Sequence, residues 1–150
     1  MTSRRSAREE TRTALFDAAL ASFAHHGFRN TTHADIAAQV GIGRTTFYEY
    51  FDSTVDLLVQ LVEERLPLLV AEIVESIPHD ADPVTRLREL GMRSVEFVGL
   101  DHLGLILHTE AMKLSDESQQ RVSAAHSGLV GAFAEVFAAG VAAGVFREIP

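Results

Sequence analysis

The 150-residue sequence contains no cysteine. This absence excludes disulfide bonds, thiolate zinc sites and cysteine nucleophiles, and it fits a reducing compartment, so we expect a cytoplasmic location. The sequence also lacks the alternating apolar and polar runs that predict β-strands, low-complexity segments and internal repeats, whereas apolar residues recur at helical spacing throughout. The sequence therefore predicts an all-α fold.

No stretch of the sequence is typical of a secretory signal or a strong membrane span. The first twelve residues carry charges of both signs and no apolar run. The most membrane-like segment runs from Gly128 to Phe146, but it is rich in alanine and glycine and contains Glu135. We interpret it as a buried helix and expect no membrane partner.

The formal net charge of −8 is unevenly distributed along the chain. Residues 1–52 contain six arginines and six acidic residues, so the whole net negative charge lies in residues 53–150. Four of those arginines lie within the first twelve residues. This distribution permits nucleic-acid binding at the N-terminal end and disfavours it elsewhere.

Helix start and stop signals divide the chain into seven predicted helices. Gly27 and Gly41 can adopt the positive φ that ends a helix, and Thr32 with Asp35 can form a capping box. Pro67 removes one backbone hydrogen bond and should kink the long fourth helix. The expected ranges are 6–26, 32–40, 44–51, 53–77, 83–98, 102–114 and 115–143.

The segment from Thr31 to Phe51 fits two short helices joined by a glycine turn, as in a DNA-binding helix-turn-helix. Ala37 is small enough to let the two helices pack closely. An ordinary helical hairpin, in which the apolar residues serve only as core, is the alternative interpretation. The outward face of the second short helix favours DNA binding, because its groups suit base edges and phosphates: Arg44, Thr45, Thr46, Tyr48 and Tyr50.

The same segment resembles the signature of the TetR (tetracycline repressor) family. The resemblance is strongest over residues 8–62, and beyond residue 83 only the helical layout and the closing AAGVFRE segment are similar. The residues that carry it are Thr31, Thr32, Asp35, Ile36, Ala37, Gly41, Ile42, Arg44, Thr46, Phe47, Tyr48, Tyr50 and Phe51.

The resemblance implies a transcriptional regulator, most simply a repressor, that binds a palindromic operator in double-stranded DNA as a homodimer. It also implies that a small-molecule effector binds the C-terminal helices and releases the DNA. We expect a helix-turn-helix domain over 1–52 and an effector-binding and dimerisation domain over 53–150. Family members usually have two further helices, so we expect a truncated C-terminal domain or dimerisation through the alanine- and glycine-rich last helix.

By the same resemblance, a defined set of residues should face DNA. Thr31 or Thr32 should touch phosphate, three residues should lie at the groove, and two tyrosines should reach phosphate or thymine methyl groups. Thr54 stands where the family usually has a phosphate-pairing lysine, which removes one such charge per protomer. The groove residues are Arg44, Thr45 and Thr46, and the tyrosines are Tyr48 and Tyr50.

Three other positions differ from the usual family pattern. Gly43 replaces a common serine cap, which costs only about a few tenths of a kcal/mol. Glu49 points outward and would repel phosphate, so we expect a solvent or base-edge role. His33 replaces a residue that is often apolar, and we interpret it as a partly buried helix histidine rather than a DNA contact.

Other kinds of site find little support in the sequence. The histidines His102, His108 and His126 lack the spacing that places two ligands on one helix face, so we propose no metal. The candidate catalytic cluster at residues 115–118 fits a helix N-cap with acidic residues in its first turn, so we propose no cofactor and no enzymatic activity. An all-α protein-interaction or dimerisation module that has lost DNA binding is the alternative function. Apolar candidates for the effector pocket, which could equally be core, are Met92, Phe97, Leu103, Leu107, Met112 and Phe133.

Overall fold

A computed structural model describes residues 2–101 and 103–148, with side chains over residues 4–97 and 103–148. This described part of the chain contains helices and two 3₁₀ turns (28–30 and 111–113) but no strand, which confirms the predicted all-α class. The helices are α1 (Thr2–His26), α2 (His33–Val40), α3 (Arg44–Tyr48), α4 (Thr54–Glu75), α5 (Pro83–Asp101), α6 (Leu103–Glu110) and α7 (Asp116–Ala142).

Two helices, α3 and α6, end three or more residues earlier than the sequence predicts. At the end of α3, the Glu49 N–H donates to the Thr46 carbonyl at 3.1 Å and the Tyr50 N–H donates to the Phe47 carbonyl at 3.0 Å. These bonds span three residues rather than four, so the last predicted turn tightens out of α-helical geometry. In the same way α6 gives way to the 3₁₀ turn over 111–113.

Side-chain caps fix where the central helices begin. The Thr32 hydroxyl accepts from the Asp35 N–H at 3.2 Å, and the Asp35 carboxylate accepts from the Thr32 N–H at 2.9 Å, which completes the predicted capping box. Gly41 ends α2 at a φ of 78°, a left-handed conformation that favours glycine. Ser53 caps α4 by accepting from the Asp56 N–H at 3.0 Å.

An apolar core joins α1, α2, α3 and α4. Phe51 lies at its centre, with its ring centroid 5.4 Å from that of Phe16 and 5.8 Å from that of Phe47. The fully buried aromatic and aliphatic residues around it are Leu15, Phe16, Ile36, Phe47, Leu57, Leu58, Val59, Leu61 and Val62. The core continues along α4 to residues of α6 and α7, so α4 belongs to both ends of the molecule. The domain boundary between residues 52 and 53 stays a prediction.

The residues that follow α7 fold back against it. The Phe146 ring stacks on Phe137 at a centroid distance of 5.6 Å and an interplanar angle of 10°. The same ring fills the space beside Gly140, where a Cβ atom would overlap it. The lack of a Cβ atom at Gly140 therefore allows Phe146 to pack against α7.

By length and composition, α7 is the one helix in the described residues that could cross a membrane. Only 17% of the most apolar 18-residue stretch of this helix is buried, so the expectation of a buried helix holds for one face alone. That face includes Val122, Ala125, Val136 and Gly140. Val130 on another face is 67% exposed, which leaves an unpartnered apolar surface on this helix.

The close packing of α2 makes a testable prediction about its two adjacent alanines. Ala37 is 1% exposed and lies in the core, so leucine there should lower the free energy of unfolding by about 1–3 kcal/mol through overpacking. Leucine at the exposed Ala38 adds the same atoms to the surface and should change it by less than about 0.5 kcal/mol. Urea unfolding followed by circular dichroism measures both, and equal effects would show that Ala37 is not tightly packed.

Candidate DNA-binding face and ligand cavity

The short helix α3 is held by one buried residue and presents the rest of its surface outward. Phe47 is 0% exposed and anchors the helix in the core. Arg44 and Thr45 are exposed and Thr46 is half-buried. The predicted groove residues therefore lie together, at the N-terminal end of a helix fixed to a rigid support, where they can contact base edges.

The two threonines expected to touch phosphate already have partners within the protein. The Thr31 hydroxyl donates to the Gly27 carbonyl at 3.0 Å, and Thr31 is 6% exposed. The Thr32 hydroxyl donates to the Asp35 carboxylate at 2.6 Å while it caps α2. Both threonines thus fix the start of α2. Thr54 is half-buried in the first turn of α4.

The two tyrosines of the predicted face differ in exposure and in contacts. Tyr48 is 49% exposed, and its hydroxyl lies 3.2 Å from Nε2 of His33. Tyr50 is half-buried, with the Arg8 guanidinium 5.1 Å from its ring centroid in a cation–π contact. Nη2 of Arg8 also donates to the Glu49 carbonyl at 3.0 Å. Arg8 thereby ties the start of α1 to the residues that follow α3, a role the sequence pattern did not indicate.

His33 is a second contributor to this face that the sequence pattern did not identify as such. It is half-buried, as predicted, but its Nε2 atom accepts from Nε of Arg44 at 3.3 Å. Its ring centroid lies 5.1 Å from that of Tyr48 and 5.8 Å from that of Phe47. The spacing of residues along α2 gives no signal of this role, because the contacts of His33 cross from α2 to α3.

A cavity of about 310 Å³ lies among α4, α5, α6 and α7. Three of the predicted pocket residues line it: Phe97, Leu103 and Leu107. Met92 and Met112 lie outside it and are 55% and 82% exposed, respectively. Phe133 packs against the separate apolar cluster of Ile73, Ile77 and Leu90. The remaining lining residues are Leu66, Val70, Ile73, Ser94, Gly104, His108, Ala111, Val122, His126 and Leu129.

The cavity wall is apolar apart from a few hydrogen-bonding groups. Nδ1 of His126 lies 2.9 Å from the Val122 carbonyl, which can only accept, so this nitrogen carries the proton. Nε2 of the neutral ring is then an acceptor. The Ser94 hydroxyl donates to the Leu90 carbonyl at 2.6 Å and keeps its oxygen lone pairs available. His102, considered above with His108 and His126, lies outside the described residues.

Ion pairs join α6 to the turn before α2 and α7 to α4. Glu110, at the end of α6, accepts from Nε of Arg29 at 3.3 Å and from Nζ of Lys113 at 3.1 Å. Arg121 of α7 donates two hydrogen bonds of 2.7 Å to Glu63 of α4. These hydrogen bonds lower the pKa of Glu63 below its ordinary value, and the arginine charge lowers it further, against the opposing effect of burial.

Comparison with known proteins identifies the family. The sequence model of a protein family, described as bacterial regulatory proteins of the tetR family, matches residues 15–61 of this chain. The solved structure of the ketosteroid transcriptional regulator KstR2 of Mycobacterium tuberculosis is 31% identical, with a TM-score of 0.64 over 93% of this chain and 72% of that chain. This chain belongs to the TetR family. The predicted family and the function as a DNA-binding repressor are thereby confirmed, and the interaction module is not supported.

Two relatives show how much of a TetR-family protein the chain spans. The fatty acid metabolism regulator protein of Bacillus subtilis is 23% identical over 135 residues, which are 89% of this chain and 70% of that protein. The curated KstR2 of M. tuberculosis is 34% identical over 110 residues, which are 73% of this chain and 54% of that protein. The structure of FadR from B. subtilis with stearoyl-CoA has a TM-score of 0.73 at 22% identity, which shows the shared fold.

The pair between Arg121 and Glu63 makes a prediction about stability and pH. Replacing Arg121 by methionine should lower the free energy of unfolding near neutral pH by about 0.5 kcal/mol, since solvent screens this partly exposed pair. The folded-state pKa of Glu63 is lowered, so the pair's contribution is complete above the unfolded-state pKa and is lost as pH falls through the folded-state value.

The difference between wild type and Arg121→Met should therefore shrink as pH falls from about 7 to about 3. Urea unfolding across this range measures it. Arg88→Met, at an exposed position on α5, removes the same charge as a control and should show a smaller difference at neutral pH. A wild-type advantage over Arg121→Met that stays constant down to the lowest pH would contradict the assigned role of Glu63.

Proposed function

We propose that this chain acts as a dimer that represses transcription by placing α3 of each protomer in successive major grooves of a palindromic operator. The observation that carries this proposal is the arrangement of α3, whose buried Phe47 fixes the helix while Arg44 and Thr45 face solvent. Two such helices must lie about 34 Å apart to fit one turn of B-DNA. The exposed apolar face of α7 is available for the dimer contact.

The roles of the DNA-facing residues follow from their freedom to make new bonds. Arg44 has its two terminal amino groups available for the O6 and N7 atoms of a guanine. We place Thr45, Thr46 and Tyr48 beside Arg44, against neighbouring bases or phosphates. The hydroxyls of Thr31 and Thr32 already donate within the protein, so we assign these two residues to fixing the start of α2 rather than to the phosphate contact that the resemblance implies.

Charge supports this orientation on DNA. Residues 1–52 are electrically balanced, whereas the rest of the chain carries the net charge of −8 and is repelled by phosphate. The protein therefore has only one end that can approach a duplex closely. This is also the end that carries α3, so long-range electrostatics and local geometry select the same face.

Arg44 provides the test of this interface. Binding is measured by fluorescence anisotropy, with duplexes covering the intergenic DNA beside the gene of this protein and with a salt series. Arg44→Ala should weaken binding to the cognate duplex by about 1–3 kcal/mol, or roughly fivefold to 150-fold. Arg88→Ala removes the same charge from exposed α5 and should change the affinity less than about twofold. If the wild-type chain bound no fragment in a salt-dependent way, the proposal would fail.

The cavity supports an effector with an apolar body and one hydrogen-bond donor. Its volume of about 310 Å³ is at the lower end for ligand sites. The wall is mainly aliphatic and aromatic, and among its polar side chains Ser94, His108 and His126, Oγ of Ser94 and Nε2 of a neutral His126 ring can accept a hydrogen bond. The relatives are consistent with an apolar effector, since FadR binds stearoyl-CoA and KstR2 is a ketosteroid regulator.

A ligand in this cavity can influence the DNA-binding end through α6. Leu103, Leu107 and His108 of α6 line the cavity, and Glu110 at the end of the same helix pairs with Arg29 beside α2. A small displacement of α6 therefore changes a contact of the helix-turn-helix unit directly. For DNA to be released, the ligand must bind more tightly to a conformation in which the two recognition helices are spaced so that they no longer fit successive major grooves.

Two isomers test the proposed effector chemistry. 1-Dodecanol and methyl undecyl ether have the same atoms, but only the alcohol can donate a hydrogen bond, either to His126 or to Ser94. We expect the alcohol to bind about tenfold more tightly by isothermal titration calorimetry. The ether oxygen can only accept, so it would lie against the acceptor atoms of His126 and Ser94 without a hydrogen bond to either. His126→Phe should reduce this preference, and His79→Phe in the exposed segment before α5 should leave it intact. Equal affinity for both isomers in the wild type would contradict the proposal.

A further inference from the structure

His33 connects two residues of the recognition helix to the helix before it. Nε of Arg44 donates to Nε2 of His33 at 3.3 Å, and the Tyr48 hydroxyl lies 3.2 Å from the same nitrogen. The imidazole ring also packs against the rings of Phe47 and Tyr48. One side chain of α2 therefore contacts both the exposed and the buried faces of α3.

The chemistry of the three groups defines the state of His33. A guanidinium can only donate, so Nε2 must offer its lone pair and the proton of the neutral ring must be on Nδ1. The Tyr48 hydroxyl shares the same acceptor. Because this bond uses Nε of Arg44, both terminal amino groups remain free to form the fork that reads a guanine. The bond also restricts a side chain with many rotamers before DNA arrives.

We propose that neutral His33 is a positioning residue that orients Arg44 and Tyr48 for base reading and so sets the sequence selectivity of the protein. This inference rests on the proposed role of α3 in DNA binding. A purely structural histidine would affect stability but would leave discrimination between bases unchanged. A positioning histidine, in contrast, affects discrimination at one particular base pair, the one that Arg44 contacts.

Protonation of His33 reverses its effect on Arg44. Nε2 then carries a hydrogen and a positive ring faces a positive guanidinium, so the bond is lost and Arg44 is released. The charged and titratable groups around the ring are Arg44 and Tyr48 on α3, Asp35 on α2, and His26 at the end of α1, which faces Asp35. The extra charge attracts any duplex, so selectivity falls even where total affinity for DNA rises.

The experiment compares discrimination rather than affinity alone. The probe is the duplex that the full-length wild-type chain selects from a random pool of double-stranded DNA. Arg44→Ala first identifies the base pair at which discrimination depends on Arg44. Discrimination is the ratio of the Kd for the duplex with that base pair replaced to the Kd for the selected duplex, and two variants of His33 are then compared with wild type.

The two variants separate the acceptor from the ring. His33→Phe keeps an aromatic ring against Phe47 and Tyr48 but has no acceptor, and it should lower discrimination at the Arg44 position about five- to tenfold. His33→Gln places an amide oxygen near the position of Nε2 and should retain discrimination within about twofold. In the Arg44→Ala background, His33→Phe should have no further effect at that position, because the two changes remove the same interaction.

The pH profile adds a readout that a structural role would not affect. Wild-type discrimination should fall as the pH is lowered, because a protonated ring cannot accept from Arg44, whereas His33→Gln should give a flat profile. If circular dichroism shows that His33→Phe is unfolded, the pH profiles of wild type and His33→Gln still test the role of His33. Unchanged discrimination in folded His33→Phe, or the same pH dependence in wild type and His33→Gln, would overturn the inference while leaving DNA binding intact. A wild-type chain that selects no duplex would refute the proposed function itself.

Discussion

The burial of Phe47 and Phe51 between α1 and α4 is the constraint on which the rest of the structure depends. α3 has only five residues, too few to be stable as an isolated helix. It persists because these two rings join the core formed by Phe16, Ile36 and the first turns of α4. The free energy that holds α3 in place therefore comes from apolar burial beneath it. Its outward side chains are not needed for folding and can serve DNA recognition.

Much of this arrangement could be predicted because its determinants are local. The Thr32 and Asp35 capping box, the left-handed Gly41 and the apolar spacing of α1 and α4 each depend on a few neighbouring residues. The contacts of Arg8 with Tyr50 and of His33 with Arg44 could not be predicted in this way. They join residues distant in sequence, and their polar side chains carry no periodic signal that would reveal the pairing.

The effector cavity was less predictable, for a different physical reason. The C-terminal helices are apolar on more than one face, so residue type does not decide which face turns inward. Phe97, Leu103 and Leu107 line the cavity, whereas the equally apolar Met92 and Met112 face outward. The spacing of His108 and His126 does not indicate that two helices, α6 and α7, bring them to one cavity.

α4 and the ion pairs around it explain how two such different ends can act together. The helix contributes Leu57 and Leu58 to the core under α3, and Leu66 and Val70 to the cavity wall. Arg121 fixes it to α7, and the Arg29–Glu110 pair provides a second route that bypasses it through α6. A ligand that displaced α6 would therefore act both on the cavity wall and on this contact with the helix-turn-helix unit. An effector bound in the cavity would not need to approach DNA in order to act on the end of the molecule that carries α3.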